Sequence, residues 1–175
     1  MKLLEEQGGS AQLALNNKKM KMNLSQLKRF EKQIILKKIG LAGQKKLFSG
    51  NVLVVGLGGL GCPLVTYLAS SGVGKIGIVD FDKVEISNLN RQILFKSSDV
   101  GKYKVDCVRK EIFKMNKKIK IISFKKRLNS KNISKIFKNF SIICDGTDNF
   151  ETRYLINDYC LKKKKILISS AISKL

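Results

Sequence analysis

The residues best suited to chemistry begin just after a short apolar run. Gly56-Leu57-Gly58-Gly59-Leu60-Gly61 follows Val52-Leu53-Val54-Val55 and carries the spacing G-x-G-x-x-G. Between a strand and a helix, that spacing cradles phosphate. Glycine allows positive φ and a close backbone approach. The N–H groups that open the helix then face the anion, with the helix dipole behind them. Asp80 ends the next apolar run, where an acidic residue can take ribose hydroxyls. A nucleotide ligand is expected. The competing readings are a glycine turn over Gly56, Gly58, Gly59 and Gly61 that serves packing alone, and Asp80 as a turn cap. A nicotinamide dehydrogenase would share all of these features.

The following stretch separates the candidates. Asp80-Phe81-Asp82 leads into Ser87-Asn88-Leu89-Asn90-Arg91-Gln92, then into Asp99-Val100-Gly101-Lys102-Tyr103-Lys104, and much later into Asp145-Gly146-Thr147-Asp148-Asn149. Hydride transfer has no evident need for these cations and a late acidic turn. A triphosphate does. Arg91 and Lys104 can neutralise phosphates and the charge that builds in a transition state. An aspartate at a strand end can hold Mg²⁺, which prefers oxygen ligands shared with phosphate. The competing reading makes Arg91 and Lys104 ordinary solvated cations. Asp145 either supports Asp148 or only shapes the turn.

These motifs resemble the ThiF/MoeB/HesA family. Its members are adenylyltransferases that activate the ubiquitin-like sulfur carriers of molybdopterin and thiamine synthesis, and they are kin to the ubiquitin-activating enzymes. The resemblance runs from about Arg29 to Ala171. It implies that Gly59 touches the nucleotide and Asp80 the ribose, that Asn88 and Arg91 face the phosphates, and that Lys104 steadies the leaving pyrophosphate. It further implies that Asp148 holds Mg²⁺ with Asn149 flanking the site. The remaining nucleotide-contact positions it suggests are Gly56, Gly58, Gly61, Asp82, Ser87, Leu89, Asn90 and Gln92. ATP, Mg²⁺, a carrier ending in Gly-Gly and a homodimer are implied with it. Two relatives in function stay open: a tRNA-modifying ATP-dependent dehydratase of the same superfamily, and a catalytically weak nucleotide-binding remnant.

Three departures from the family pattern stand out. Lys32, in Arg29-Phe30-Glu31-Lys32-Gln33, replaces an arginine that in relatives reaches the partner subunit's ATP site. Lysine keeps the charge and loses the planar fork. Tyr103 replaces the usual proline before Lys104, which is expected to loosen that loop. Relatives also continue past the position of Leu175 with further strands and, in many, two Cys-x-x-Cys zinc pairs. The C-terminal part of the family domain is therefore expected to be missing, and no zinc ligands are expected in this chain.

The elements that must carry these residues follow from hydrophobic period. Leu27 to Ile39 reads as an amphipathic helix stopped by Gly40, and Ala42 to Phe48 as a second. The wholly apolar run at Val52–Val55 suits a strand buried on both faces of a parallel sheet. Helices then follow at Leu60–Ser71, Tyr103–Met115, Ser134–Phe140 and Asn149–Leu161. Strands lie between them at Ile76–Val79, Ile119–Phe124, Ser141–Cys144 and Ile166–Ser169. Such alternation predicts a Rossmann-like, doubly wound, mainly parallel α/β sheet with N-terminal helices. Residues 1–24 are expected to be a loose tail, and residues 25–175 one ATP-binding domain.

Composition narrows the chemistry. The chain has no histidine, which excludes Ser-His and Cys-His nucleophile pairs. Its four cysteines form no Cys-x-x-Cys pair, so no metal knuckle is read, and their thin spread suits a reducing compartment better than a disulfide framework. Cys62, at the start of a helix, has two readings, an activated thiol or a small packing residue, of which packing is preferred. No apolar run reaches the ~18 residues needed to cross a bilayer, and no secretory signal is read, so a cytoplasmic setting is expected. The net charge of +22 invites nucleic acid. Lysine is spread along the whole chain, however, and the densest run, Lys162–Lys165, lacks the aromatic residues on which bases stack. Only nonspecific polyanion adhesion is expected.

Overall fold

The computed structural model describes residues 22–171, so most of the expected N-terminal tail lies outside the described residues. The chain divides into two compact units, Met1–Phe48 and Ser49–Leu175.

In the first unit, helix α1 spans Leu24–Ile34. It begins earlier than its apolar period predicts because Asn23 and Gln26 form a capping box. The Asn23 side chain accepts from Gln26 N at 3.0 Å, and the Gln26 side chain accepts from Asn23 N at 3.1 Å. The helix also ends earlier, since Ile35 caps it and residues 35–39 form turns. Ile35 and Leu36 are exposed, so the apolar period there does not mark a buried face. Gly40, at φ +56°, opens helix α2 (Gly40–Ser49) instead of simply stopping the first. Phe30 and Phe48 pack edge to face at 5.2 Å. Lys32 lies exposed in the last turn of α1.

The second unit is a five-stranded parallel sheet: β1 (Asn51–Val55), β2 (Lys75–Val79), β3 (Lys120–Phe124), β4 (Ile142–Asp145) and β5 (Ile166–Ser169), in the order β3-β2-β1-β4-β5. Strand β1 is central, with Val52 opposite Ile76 on one side and Ile142 on the other. That position explains its apolar run, for Val52 to Val55 are all buried. The intervening helices are α3 (Gly61–Ser70), α4 (Lys104–Met115), α5 (Ile133–Phe137) and α6 (Phe150–Lys162). Phe137, Phe140, Ile143, Leu53 and Ile156 form the centre of one core layer. A Cβ at Gly77 would overlap the Phe140 ring and the Leu53 side chain, so this glycine lets Phe140 seat against β2.

The chain runs β1 to β3 toward one edge of the sheet, then crosses back to β4 and β5 on the other side of β1. Open α/β sheets bind ligands at such a reversal, outside the carboxyl ends of the strands. Charge also sorts along the strands. The loops entering β2 to β5, with the first residues of β2 and β3 and the last of α6, carry Lys75, Lys117, Lys118, Lys120, Lys138 and Lys162–Lys165, and no acidic residue. Helices end at those loops, where cations complement the helix dipole. No helix among the described residues is long and apolar enough to cross a membrane.

Candidate functional site

The carboxyl edge at the reversal opens into a cleft of about 850 Å³ lined by residues that follow β1, β2, β3 and β4. Such a volume holds a medium-sized organic ligand.

The four glycines after β1 have separable roles. Gly56 has φ +86°, and a Cβ there would stand 2.9 Å from the Gly146 carbonyl oxygen. A Cβ at Gly61 would overlap the Gly56 carbonyl. These two glycines serve the protein's own packing. At Gly58 a Cβ would meet nothing within 4 Å, and at Gly59 only the Arg91 methylenes at 3.6 Å. Both line the cleft. The fold makes no steric demand for glycine at these two positions, and the bare backbone they leave can be approached by a phosphate.

Asp80 is buried where β2 ends. Its Oδ2 accepts from Leu57 N at 2.7 Å, and its Oδ1 from Asp82 N at 2.8 Å. Burial pushes its pKa up, while those two N–H groups and the Lys104 charge pull it down. Asp80 thus caps a turn, anchors the glycine loop and still lines the cleft.

A short 3₁₀ turn, Ile86–Asn88, presents the Ser-Asn-Leu-Asn-Arg-Gln segment. The buried Asn88 side chain holds the turn by accepting from Glu85 N at 3.2 Å. Arg91 is exposed, with Nη1 donating to Ser87 O at 2.9 Å and to Asn90 Oδ1 at 3.2 Å. Gln92 is buried, its Oε1 without a hydrogen-bond partner among the described residues. Asn88, Arg91 and Gln92 line the cleft, whereas Ser87, Leu89, Asn90 and Gly61 are not among its lining residues.

Lys104 opens α4 and is buried, its ammonium 3.1 Å from Asp82 Oδ2. Its backbone N donates to Asp82 O at 3.0 Å. The loop that bears Tyr103 is tied to the segment after β2. Val84 N donates to Lys102 O and Gly101 N to Val84 O, and Lys83 and Tyr103 form an antiparallel bridge. The Tyr103 ring lies against two ammonium groups, Lys125 at 4.3 Å and Lys83 at 5.4 Å. Such contacts each hold a ring by roughly 0.5–1 kcal/mol at exposed sites.

Across the cleft, Asp145 is buried and Asp148 is exposed. The Asp148 carboxylate lines the cleft and takes no hydrogen bond or ion pair among the described residues. Asn149 caps α6, accepting from Thr152 N at 2.9 Å, and also lines the cleft. No cluster of three or more metal-ligating side chains occurs among the described residues. One unengaged carboxylate still fits Mg²⁺, which takes one or two carboxylates and completes its shell with phosphate and water.

Cys62 behaves as a packing residue. It is fully buried, its Sγ donates to Leu57 O at 3.2 Å, and burial pushes its pKa up to about 12. Lys32 belongs to the first unit.

Sequence reasoning missed Phe81, Lys126, Arg127 and Arg153, all of which line the cleft. Arg127 stacks on Phe81 at 5.2 Å. Residues 126–128 reach the site because β3 lies beside β2, an adjacency with no local signature.

The model of the ThiF family matches residues 30–175. The adenylyltransferase and sulfurtransferase MOCS3 of Aedes aegypti is 45% identical over 155 residues, covering 89% of this chain and 36% of that protein. A probable molybdopterin-synthase adenylyltransferase of Porphyra purpurea is 47% identical over 150 residues, covering 86% of this chain and 39% of that one. The sulfur carrier protein adenylyltransferase of Thermus thermophilus is 39% identical over 153 residues, covering 87% and 56%. The chain therefore spans between about a third and just over half of these relatives' lengths. Among solved structures, E. coli MccB with ATP is similar at TM-score 0.71 and 30% identity, over 75% of this chain and 40% of that one. E. coli tRNA N6-threonylcarbamoyladenosine dehydratase with ATP aligns at TM-score 0.82 and 23% identity, over 89% and 65%, a likeness of fold.

Proposed function

The chain belongs to the ThiF family, and on that premise we propose that its cleft binds ATP and supports adenylation of the C-terminal glycine of a ubiquitin-like sulfur carrier. The observation that carries this reading is the grouping in one cleft of Arg91, Lys104 and Asp148 around the open backbone at Gly58 and Gly59. Those are charges for a polyphosphate, not a surface for a nicotinamide.

In the proposed reaction a carboxylate oxygen of the terminal glycine forms a bond to the α-phosphorus. The bond from that phosphorus to the bridging oxygen breaks, and pyrophosphate leaves with the electron pair. An acyl-adenylate remains. The carboxylate is already ionised at neutral pH, so no protein base is required. The chain's part is positioning and charge stabilisation. Gly58 and Gly59 offer N–H groups to phosphate, and Asp80 offers a carboxylate to the ribose. Arg91 and Lys104 offset the charge that gathers on the leaving pyrophosphate. The Asp82 ion pair holds Lys104 ready beside the cleft. Asp148 would hold Mg²⁺, which when bound supplies further neutralisation of the phosphate oxygens.

The same reading extends to a carrier ending in Gly-Gly, a homodimer in which Lys32 serves the partner subunit's site, and a cytoplasmic setting. ATP–pyrophosphate exchange is the test. Exchange that requires a Gly-Gly-ended carrier and is lost in Lys104→Ala supports the reading. ATP binding with no carrier-dependent exchange would identify a binding module instead, and turnover stimulated by tRNA would point to a dehydratase.

A further inference from the structure

Among the described residues Asp148 takes no hydrogen bond or ion pair, so the turn that bears it sets its aim. That turn hangs on Asp145. The buried Asp145 carboxylate accepts four hydrogen bonds. Its Oδ1 receives Thr147 N at 2.9 Å and Thr147 Oγ1 at 2.7 Å. Its Oδ2 receives Ser169 Oγ at 2.9 Å and Arg153 Nε at 3.2 Å. Arg153 also donates from Nη2 to Ser169 Oγ at 3.0 Å and to Ser170 O at 2.6 Å. One guanidinium on α6 thereby ties the end of β4 to the chain leaving β5.

We propose that Asp145 and Arg153 are a positioning pair that fixes the turn carrying Asp148, and so sets how strongly Mg²⁺ tightens nucleotide binding. This rests on the reading that Asp148 takes the nucleotide's metal. Stability alone is a poor reason for such a pair, because a buried ion pair is commonly matched by apolar side chains of similar volume. Three of the five Arg153 N–H donors, on Nε and Nη2, are committed to the protein and fix the guanidinium in place. A carboxylate that must point at a metal, by contrast, gains from a rigid turn. Side chains that orient a metal ligand typically change metal affinity by about 10- to 100-fold when altered.

The experiment measures ATP affinity of the 175-residue chain by calorimetry, with and without Mg²⁺, alongside thermal melting. Asp148→Asn is the reference and is expected to lose the tightening by Mg²⁺. Arg153→Lys keeps the charge and loses the fork. Its Mg²⁺-dependent tightening, the ratio of its affinities with and without the metal, is expected to fall about tenfold. Thr147→Val removes only the Oγ1 bond and is expected to show a smaller fall in the same ratio. It decides the matter if Arg153→Lys does not fold. If Asp148→Asn loses the tightening while the variants retain it, the positioning role is wrong and the metal reading stands. If Asp148→Asn retains it, both are wrong. Equal weakening of Arg153→Lys with and without Mg²⁺ would make Arg153 a direct phosphate contact and overturn the positioning role.

Discussion

Alanine at Gly58 and alanine at Gly61 should have opposite consequences, although the two glycines are three residues apart in one motif. At Gly58 the backbone φ lies outside the left-handed region and a Cβ meets nothing within 4 Å. Folding should therefore tolerate Gly58→Ala and even gain about 0.4–1 kcal/mol, because alanine narrows the unfolded ensemble. The new methyl stands where a phosphate would approach. A tenfold loss of ATP affinity corresponds to about 1.4 kcal/mol, and at least that is expected. At Gly61 the Cβ would overlap the Gly56 carbonyl, a backbone atom that no side-chain rotation can relieve. Helix α3 must shift away from the loop, at about 1–3 kcal/mol by analogy with overpacked cores. That lowers the melting temperature by about 2–4 °C per kcal/mol for a chain of this size. Thermal melting and ATP titration on both variants separate the two effects. The cradle is refuted if Gly58→Ala melts like the parent and binds ATP equally well. The packing role of Gly61 is refuted if Gly61→Ala melts unchanged.

Other expectations follow from the same structure. With its pKa raised to about 12, Cys62 should resist iodoacetamide in the folded chain at pH 8, where only about one thiol in ten thousand is ionised. Mass spectrometry should find it alkylated only after denaturation, and fast labelling of the folded chain would contradict the packing assignment. Gln at Lys117, Lys118, Lys162 and Lys163, all exposed on the acid-free edge of the sheet, should elute the chain from heparin at lower salt. Gln at Lys96, Lys102, Lys110 and Lys131 should lower it less, and equal shifts would mean that adhesion follows total charge alone.

Local pattern was enough to read much of this molecule. The apolar run of β1, the glycine spacing after it and the helix it opens are neighbours in sequence, so their chemistry is visible there. The alternation of periods announced a parallel α/β sheet, because strands buried on both faces cannot hide their composition. Boundaries were less legible where a side chain overrode the period. The Asn23–Gln26 box moved the start of α1, and exposed Ile35 and Leu36 mimicked a buried face. Tertiary structure alone decided the rest of the site. Because β1 lies between β2 and β4, the turn at Asp145–Asn149 abuts Gly56 from some ninety residues away. Because β3 flanks β2, Arg127 and Lys126 enter the cleft. Period reports how each segment is buried, and only the pairing of distant strands reports which charges end up facing one ligand.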